Sequence, residues 1–246
     1  MSAADTMMTD GMQRIPGFES TDYAYLHGDI VWAGKQASTD HPRNALSKWQ
    51  PETTLFKADS LFEGALICKT LFNSNHPLAI RTKGLLLWLQ NIDMPFPMNL
   101  NAARFDAIKL ALIDNDLQAF TAASLRVLGL GNGLTPSGDD FIGGIFFALA
   151  YSPRQAWIEK LPAVKMQIHN AAKESTNVIS AALLDDLMAG YSYSVLHEVL
   201  IALNSQNIEK INMSCQQLLT IGASSGADIL AGLLLSLTTQ HQILNQ

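Results

Sequence analysis

The stretch Ser137-Gly138-Asp139-Asp140-Phe141-Ile142-Gly143-Gly144 returns 88 positions later as Ser225-Gly226-Ala227-Asp228-Ile229-Leu230-Ala231-Gly232. Each copy follows a run that ends in glycine, at Gly129 and at Gly222, and each leads into a strongly apolar segment. Small residues recur four apart in both segments, Gly144 with Ala148 and Gly232 with Ser236. The recurring unit reads as helix, Gly-rich loop, S-G-x-D and a second helix. Small residues on one helix face let two backbones approach closely, so the two S-G-x-D helices are expected to cross. Outward from this pair, apolar residues keep helical spacing over 141–150, 164–172, 176–189, 195–203, 208–221 and 228–239. Upstream, Leu117, Phe120 and Leu128 share a stripe with Ser124. Asn115 with Gln118 three residues later makes a capping-box start for that helix, and Gly129 makes its stop.

Before Pro95 and Pro97 the texture is different. Tyr23-Ala24-Tyr25-Leu26, His27-Gly28-Asp29 and Ile30-Val31-Trp32 read as a hairpin closed by a Gly-containing turn. Short apolar runs at 65–68, 78–80 and 85–89, divided by breakers such as Asn73-Ser74-Asn75-His76-Pro77, read as further short elements of a mainly β half with one helix near Ser60. The fold class is therefore α+β. A loose, polar, Met-rich arm is expected over 1–17, a β-rich part (a small barrel or sandwich) over 18–98, and an α-helical part over 99–246 with two equivalent helix–Gly loop–helix units.

The chain has 246 residues, 48% hydrophobic and 15% charged, with a net charge of −6. The ordinary charged share is roughly 25%, so the composition rules out disorder and points to an oligomer or a subunit of a complex. Sixteen Lys and Arg residues, scattered singly, make no basic face for nucleic acid or an anionic membrane. The longest apolar run, 141–151, is about half of what spans a bilayer, and residues 1–11 lack the basic start of a secretory signal. Cys68 and Cys215 form no CxxC pair and read as free thiols of a reducing cytoplasm.

The chemistry gathers at the repeated stretch. A helix N-terminus has free N–H groups and a partial positive charge, and so attracts anions. Gly131, Gly133, Thr135, Ser137 and Gly138 precede one such terminus, and Ser224, Ser225 and Gly226 stand at the other. This suits a small ligand carrying phosphate, carboxylate or carbamoyl oxygens, with Asp139 or Asp140 accepting from an amide NH2 and Asp228 a further ligand-binding candidate. A structural alternative stands beside it, with Asp140 and Asp228 as N-caps, Pro136 as a turn former and the glycines as packing sites. No Lys follows the glycines, so the loop is not a Walker A loop. No metal and no cofactor is expected, since no His or Cys is spaced to complete a site with Asp139 and Asp140. No catalytic residue is assigned, because Ser137 has no nearby His or Lys to take its proton. Thr176 and Ser180 fall on the apolar face of one helix with Asn177 beside them, and buried hydroxyls there need partners.

The run Gly129-Leu130-Gly131-Asn132-Gly133-Leu134-Thr135-Pro136-Ser137-Gly138-Asp139-Asp140-Phe141 resembles the signature of a family long catalogued as a domain of unknown function. The family's named member is the AllH subunit of oxamate carbamoyltransferase. Residues 176–190 and 222–232 are similar to its middle and C-terminal segments. The family usually has Pro where this chain has Asn132, and often has His where this chain has Ala223. The resemblance implies a subunit of a carbamoyltransferase complex in allantoin and purine nitrogen catabolism. That complex converts oxalurate and phosphate to oxamate and carbamoyl phosphate. A phosphate loop of the ordinary transcarbamylase kind is absent from the sequence. A non-catalytic ligand-binding or scaffolding subunit of such a complex is the alternative.

Overall fold

The computed structural model describes residues 11–33, 43, 56–72, 76–90 and 101–240. Among them the strands are β1 (Met12–Arg14), β2 (Tyr23–Leu26) and β3 (Asp29–Trp32). The α-helices are α1 (Ala58–Leu71), α2 (Leu85–Leu89), α3 (Ala102–Ile113), α4 (Leu117–Leu125), α5 (Ser137–Tyr151), α6 (Leu161–Ser175), α7 (Val178–Met188), α8 (Ser194–Ser205), α9 (Ile208–Leu218) and α10 (Ser225–Gln240).

Apart from the acids in their first turns, α5 and α10 carry no charged side chain, and both are buried along most of their length. A helix apolar on every side belongs in a core, and these two cross at its centre. A Cβ on Gly144 would lie 2.1 Å from the Ile229 carbonyl oxygen, and one on Gly232 would lie 2.0 Å from that of Phe141. Only glycine permits so close an approach of backbones. The contact is reciprocal, since Gly144 and Phe141 correspond to Gly232 and Ile229 in the repeated stretch. Helix α7 packs on α5, while α1, α2, α3 and α9 pack on α10. Helices α4 and α6 extend these layers, and α8 lies against α1 and α9. Leu61 of α1 and Leu85 of α2 share one core with Phe105, Phe141, Phe146 and Leu230, so the change of texture near residue 98 does not break it.

The sheet is an antiparallel meander, β1-β2-β3, with Tyr23 opposite Trp32 and Met12 opposite Leu26. His27 (φ 52°) and Gly28 (φ 91°) turn the hairpin, both in the left-handed region, as a tight primed turn requires. Its inner side chains Ile15, Tyr23 and Ile30 rest on Ile179 and Leu183 of α7, with Leu134 alongside. Arg43 ties the sheet down. Its Nε and Nη2 donate to the two oxygens of Asp186 at 2.5 and 2.8 Å, Nη2 also to the Ala182 carbonyl at 2.9 Å, and Nη1 to the Ile30 carbonyl at 3.1 Å.

The α+β reading and the hairpin hold, but much of the expected β-rich half is helical. Residues 65–68 lie inside α1, 85–89 form α2, and 78–80 lead into a 3₁₀ turn at Ala79–Arg81. The buried residues of α1, Leu61, Gly64, Ala65, Cys68 and Leu71, carry helical spacing, which the short run 65–68 alone does not reveal. Among the described residues the only sheet is this open three-stranded one, not a barrel or sandwich. The expected arm lies outside the described residues over 1–10; beyond them β1 pairs with β2 and Ile15 is buried. The cap of α4 is Asp116, whose carboxylate accepts from the Gln118 and Ala119 N–H groups at 2.9 Å. Asn115 takes a left-handed φ of 54° instead, which removes it from the extended geometry a cap needs. Cys68 and Cys215, far apart in sequence, are both buried with their sulfurs 3.5 Å apart. Among the described residues no helix is long and apolar enough to cross a membrane.

The crossing makes a prediction whose sign decides it. In a helix interior Gly→Ala ordinarily stabilises by about 0.5–1 kcal/mol. Gly144→Ala and Gly232→Ala are instead each expected to destabilise, by about 1–3 kcal/mol, because the added methyl meets a carbonyl oxygen. The midpoint of urea unfolding measures this, and an unchanged or raised midpoint contradicts the crossing.

Candidate functional site

The loop before α5 folds tightly back over the helix it leads into. Gly131, at φ 124°, stands so near that a Cβ would lie 2.5 Å from the Ser137 nitrogen. Gly138 donates its N–H to the Leu130 carbonyl at 2.8 Å, and a Cβ on it would meet the Val127 carbonyl oxygen at 1.9 Å. The second loop repeats the arrangement: Gly226 donates to the Ile221 carbonyl at 3.1 Å, and its Cβ position is 1.9 Å from the Leu218 oxygen. The two loops meet through the hydroxyls of Thr135 and Ser225, 2.7 Å apart.

The three acids have different tasks. Asp139 accepts from the Gly129 N–H and from the Ser180 hydroxyl, both at 2.7 Å, and so braces the loop against α7. Asn177 caps α7 by accepting from the Ile179 and Ser180 N–H groups, and its Nδ2 donates to the Leu134 carbonyl at 2.7 Å. Thr176 lies beside Asp139 and helps to hold its charge. Asp140 and Asp228, equivalent in the repeated stretch, are 6% and 0% exposed. Asp228 Oδ1 accepts from the Leu85 N–H at 2.7 Å, at the start of α2. Gly84, at φ 56°, makes room there, since a Cβ would lie 2.3 Å from that oxygen. The Oδ2 atoms of Asp140 and Asp228 are both buried without a hydrogen-bond partner.

Burial drives the electrostatics. It pushes the Asp140 carboxyl well above the usual carboxylate range, and the negative charge of Asp228 adds to the rise, against the hydroxyls of Ser225 and Thr135. Burial also raises Asp228, opposed by the Leu85 N–H, the hydroxyls of Ser137 and Ser224, and the charge of Lys83. Asp139 is raised by burial too, against its donors Gly129 and Ser180 and the nearby hydroxyl of Thr176. The phenols of Tyr23, on β2, and Tyr193 hydrogen-bond to each other, and both feel the charge of Asp140. The sheet therefore reaches the edge of the acid pair.

Of the residues singled out from the sequence, Thr135, Ser137, Asp140, Ser224, Ser225 and Asp228 come together. Asp139, Thr176, Asn177 and Ser180 form the brace behind them. Gly133 (φ 105°) has nothing near its Cβ position. Two expectations are corrected. Asp140 and Asp228 are not N-caps, for both lie inside the first turn of their helices. The N–H groups following Ser137 are not free for an anion: Gly138 donates to Leu130, and Asp139 and Asp140 to the Pro136 carbonyl at 3.0 and 3.1 Å. Beside the Leu85 N–H, the donors facing the pair are hydroxyls. Leu85, Gly84, Tyr23 and Tyr193 escaped the sequence reading because nothing in their local pattern marks them. Among the described residues no group of three or more His, Cys, Asp and Glu is placed to hold a metal ion.

The raised carboxyls tie stability to pH. A carboxyl whose pKa is higher folded than unfolded holds its proton longer in the native state, so stability falls as pH rises from its ordinary value of 3.8 through the raised one. Asp140→Asn removes this charge, and is expected to raise the melting temperature of the free protein in alkaline buffer. The gain should shrink toward mildly acidic pH. Thermal unfolding across pH checks it, and an Asn variant less stable than the parent at every pH contradicts the assignment.

No curated protein and no solved structure matches the chain. Residues 127–237, which include both Gly-rich loops, α5, α7 and nearly all of α10, match the model of the family described as oxamate carbamoyltransferase subunit AllH.

Proposed function

We propose that the chain is a subunit of an oxamate carbamoyltransferase-type complex and binds a small carbamoyl-bearing ligand where its two Gly-rich loops meet. The complex would act in allantoin and purine nitrogen catabolism. In its reaction a phosphate oxygen attacks the ureido carbonyl of oxalurate, the C–N bond breaks, and the nitrogen that leaves with oxamate takes a proton. The observation that carries the reading is the pair of half-partnered acids, Asp140 and Asp228, buried among the hydroxyls of Thr135, Ser137, Ser224 and Ser225. A buried polar atom without a partner costs free energy, and a ligand with nitrogen donors and oxygen acceptors satisfies such a cluster. The hydroxyls would donate to its oxygens, while Asp139, Thr176, Asn177 and Ser180 hold the loop in place. The family match spans this site, and the low charge content supports a surface covered by other subunits.

A ligand bound only to the native state stabilises it by about 2.7 kcal/mol at a hundredfold excess over Kd. Oxamate, oxalurate and carbamoyl phosphate are therefore expected to raise the melting temperature of the chain, alone or joined to its partner subunits. Ser137→Ala and Asp140→Ala should abolish the rise. If none of these compounds, nor phosphate, shifts the parent in either state, the loops are structural only.

A further inference from the structure

We propose that Asp140 and Asp228 hold one proton between them and read the amide end of the ligand, one carboxyl donating to its carbonyl oxygen while the other accepts from its nitrogen. The inference rests on the proposed site and adds how its ligand is recognised, which selects a primary amide or ureido group over a second carboxylate. Its basis is geometric. The acids immediately precede Phe141 and Ile229, whose carbonyl oxygens touch the positions of Gly232 and Gly144, so the crossing brings the two acids near enough for the charge of Asp228 to act on Asp140. Each keeps one buried oxygen, Oδ2, that bonds neither the other acid nor any neighbour. Asp228 is fixed by the Leu85 N–H on Oδ1, which leaves Oδ2 alone to serve a ligand.

Among the described residues no buried cation faces the pair, and two negative charges that act on each other in a buried site resist full ionisation, as carboxyl pairs that share a site do. The groups facing them are the hydroxyls of Thr135, Ser137, Ser224 and Ser225, the phenols of Tyr23 and Tyr193, Asp139 on the same helix as Asp140, and Lys83 as a source of positive charge. With one proton, the pair offers one O–H donor and one carboxylate acceptor, which complements the C=O and N–H of an amide. A ligand carboxylate in the same place would meet a carboxylate and be repelled.

Oxamate and oxalate separate the cases, since they differ by an NH2 in place of an oxygen. Calorimetric titration of the chain, joined to its partner subunits where these are needed for binding, is expected to show oxamate binding at least about tenfold tighter than oxalate. Its affinity should fall in alkaline buffer as the shared proton is lost. Asp228→Asn keeps an oxygen for the Leu85 N–H and sets an NH2 where Oδ2 stands. This variant should still bind oxamate and should lose the alkaline fall, whereas Asp228→Ala should lose affinity at every pH. Circular dichroism establishes that both variants are folded, and Asp140→Asn, expected to behave as Asp228→Asn does, replaces the latter if it is not. Equal affinity for oxamate and oxalate, or an alkaline fall unchanged in both Asn variants, overturns the shared-proton pair while leaving the proposed site standing. Failure of both compounds to bind in either state overturns the site itself.

Discussion

The structure depends on the contact of two backbones, Gly144 against the Ile229 carbonyl and Gly232 against that of Phe141. Helices that meet through side chains keep their axes some 8–10 Å apart. Here the missing side chains let the first turns of α5 and α10 come together, and with them the loops that precede each helix. The Thr135–Ser225 hydroxyl contact, the convergence of Asp140 with Asp228 and the seat of Leu85 on Asp228 all follow from that approach. The remaining helices serve to bury the outer faces of this pair.

Close approach has a cost, because it drives two acids out of water. Each of the three carboxyls is raised by burial, yet their surroundings differ. Asp139 has a backbone N–H and a hydroxyl as hydrogen-bond donors, and it works as a brace. Asp140 and Asp228 are left with an oxygen each that the protein does not serve. A fold under selection for stability alone would place amides or apolar groups here. Retaining the acids fits a site whose complement arrives from outside.

The crossing was legible from the repeated stretch, because glycine at matched positions in two apolar helices has a direct mechanical meaning. Thr135, Ser137, Ser225 and Asp228 could be placed near one another for the same reason. The different duties of Asp139 and Asp140 could not, since adjacent residues on a helix point about 100° apart and the choice rests on what packs beside each. The N-terminal half was misread where short apolar runs carry no period of their own. Leu85–Leu89 is apolar at every position although only Leu85, Leu86 and Leu89 are buried, and a run without polar residues carries no period by which strand and helix can be told apart. Arg43 and Asp186 could not be paired at all, for their ion pair joins segments 143 residues apart.

The loop before α5 is longer than its counterpart before α10, and this difference has a consequence for ligand choice. At the crossing the two halves present matched carboxyls, so the pair tells one end of a molecule from the other only through what surrounds it. Handedness must come from the parts that break the match. On the Asp228 side that part is the Leu85 N–H, and on the other it is the run from Gly131 to Thr135, pinned by Asn177 through the Leu134 carbonyl and covered by the sheet that Arg43 fastens to α7. Substitutions in the sheet or the longer loop can therefore retune what the site accepts while the crossing beneath stays intact.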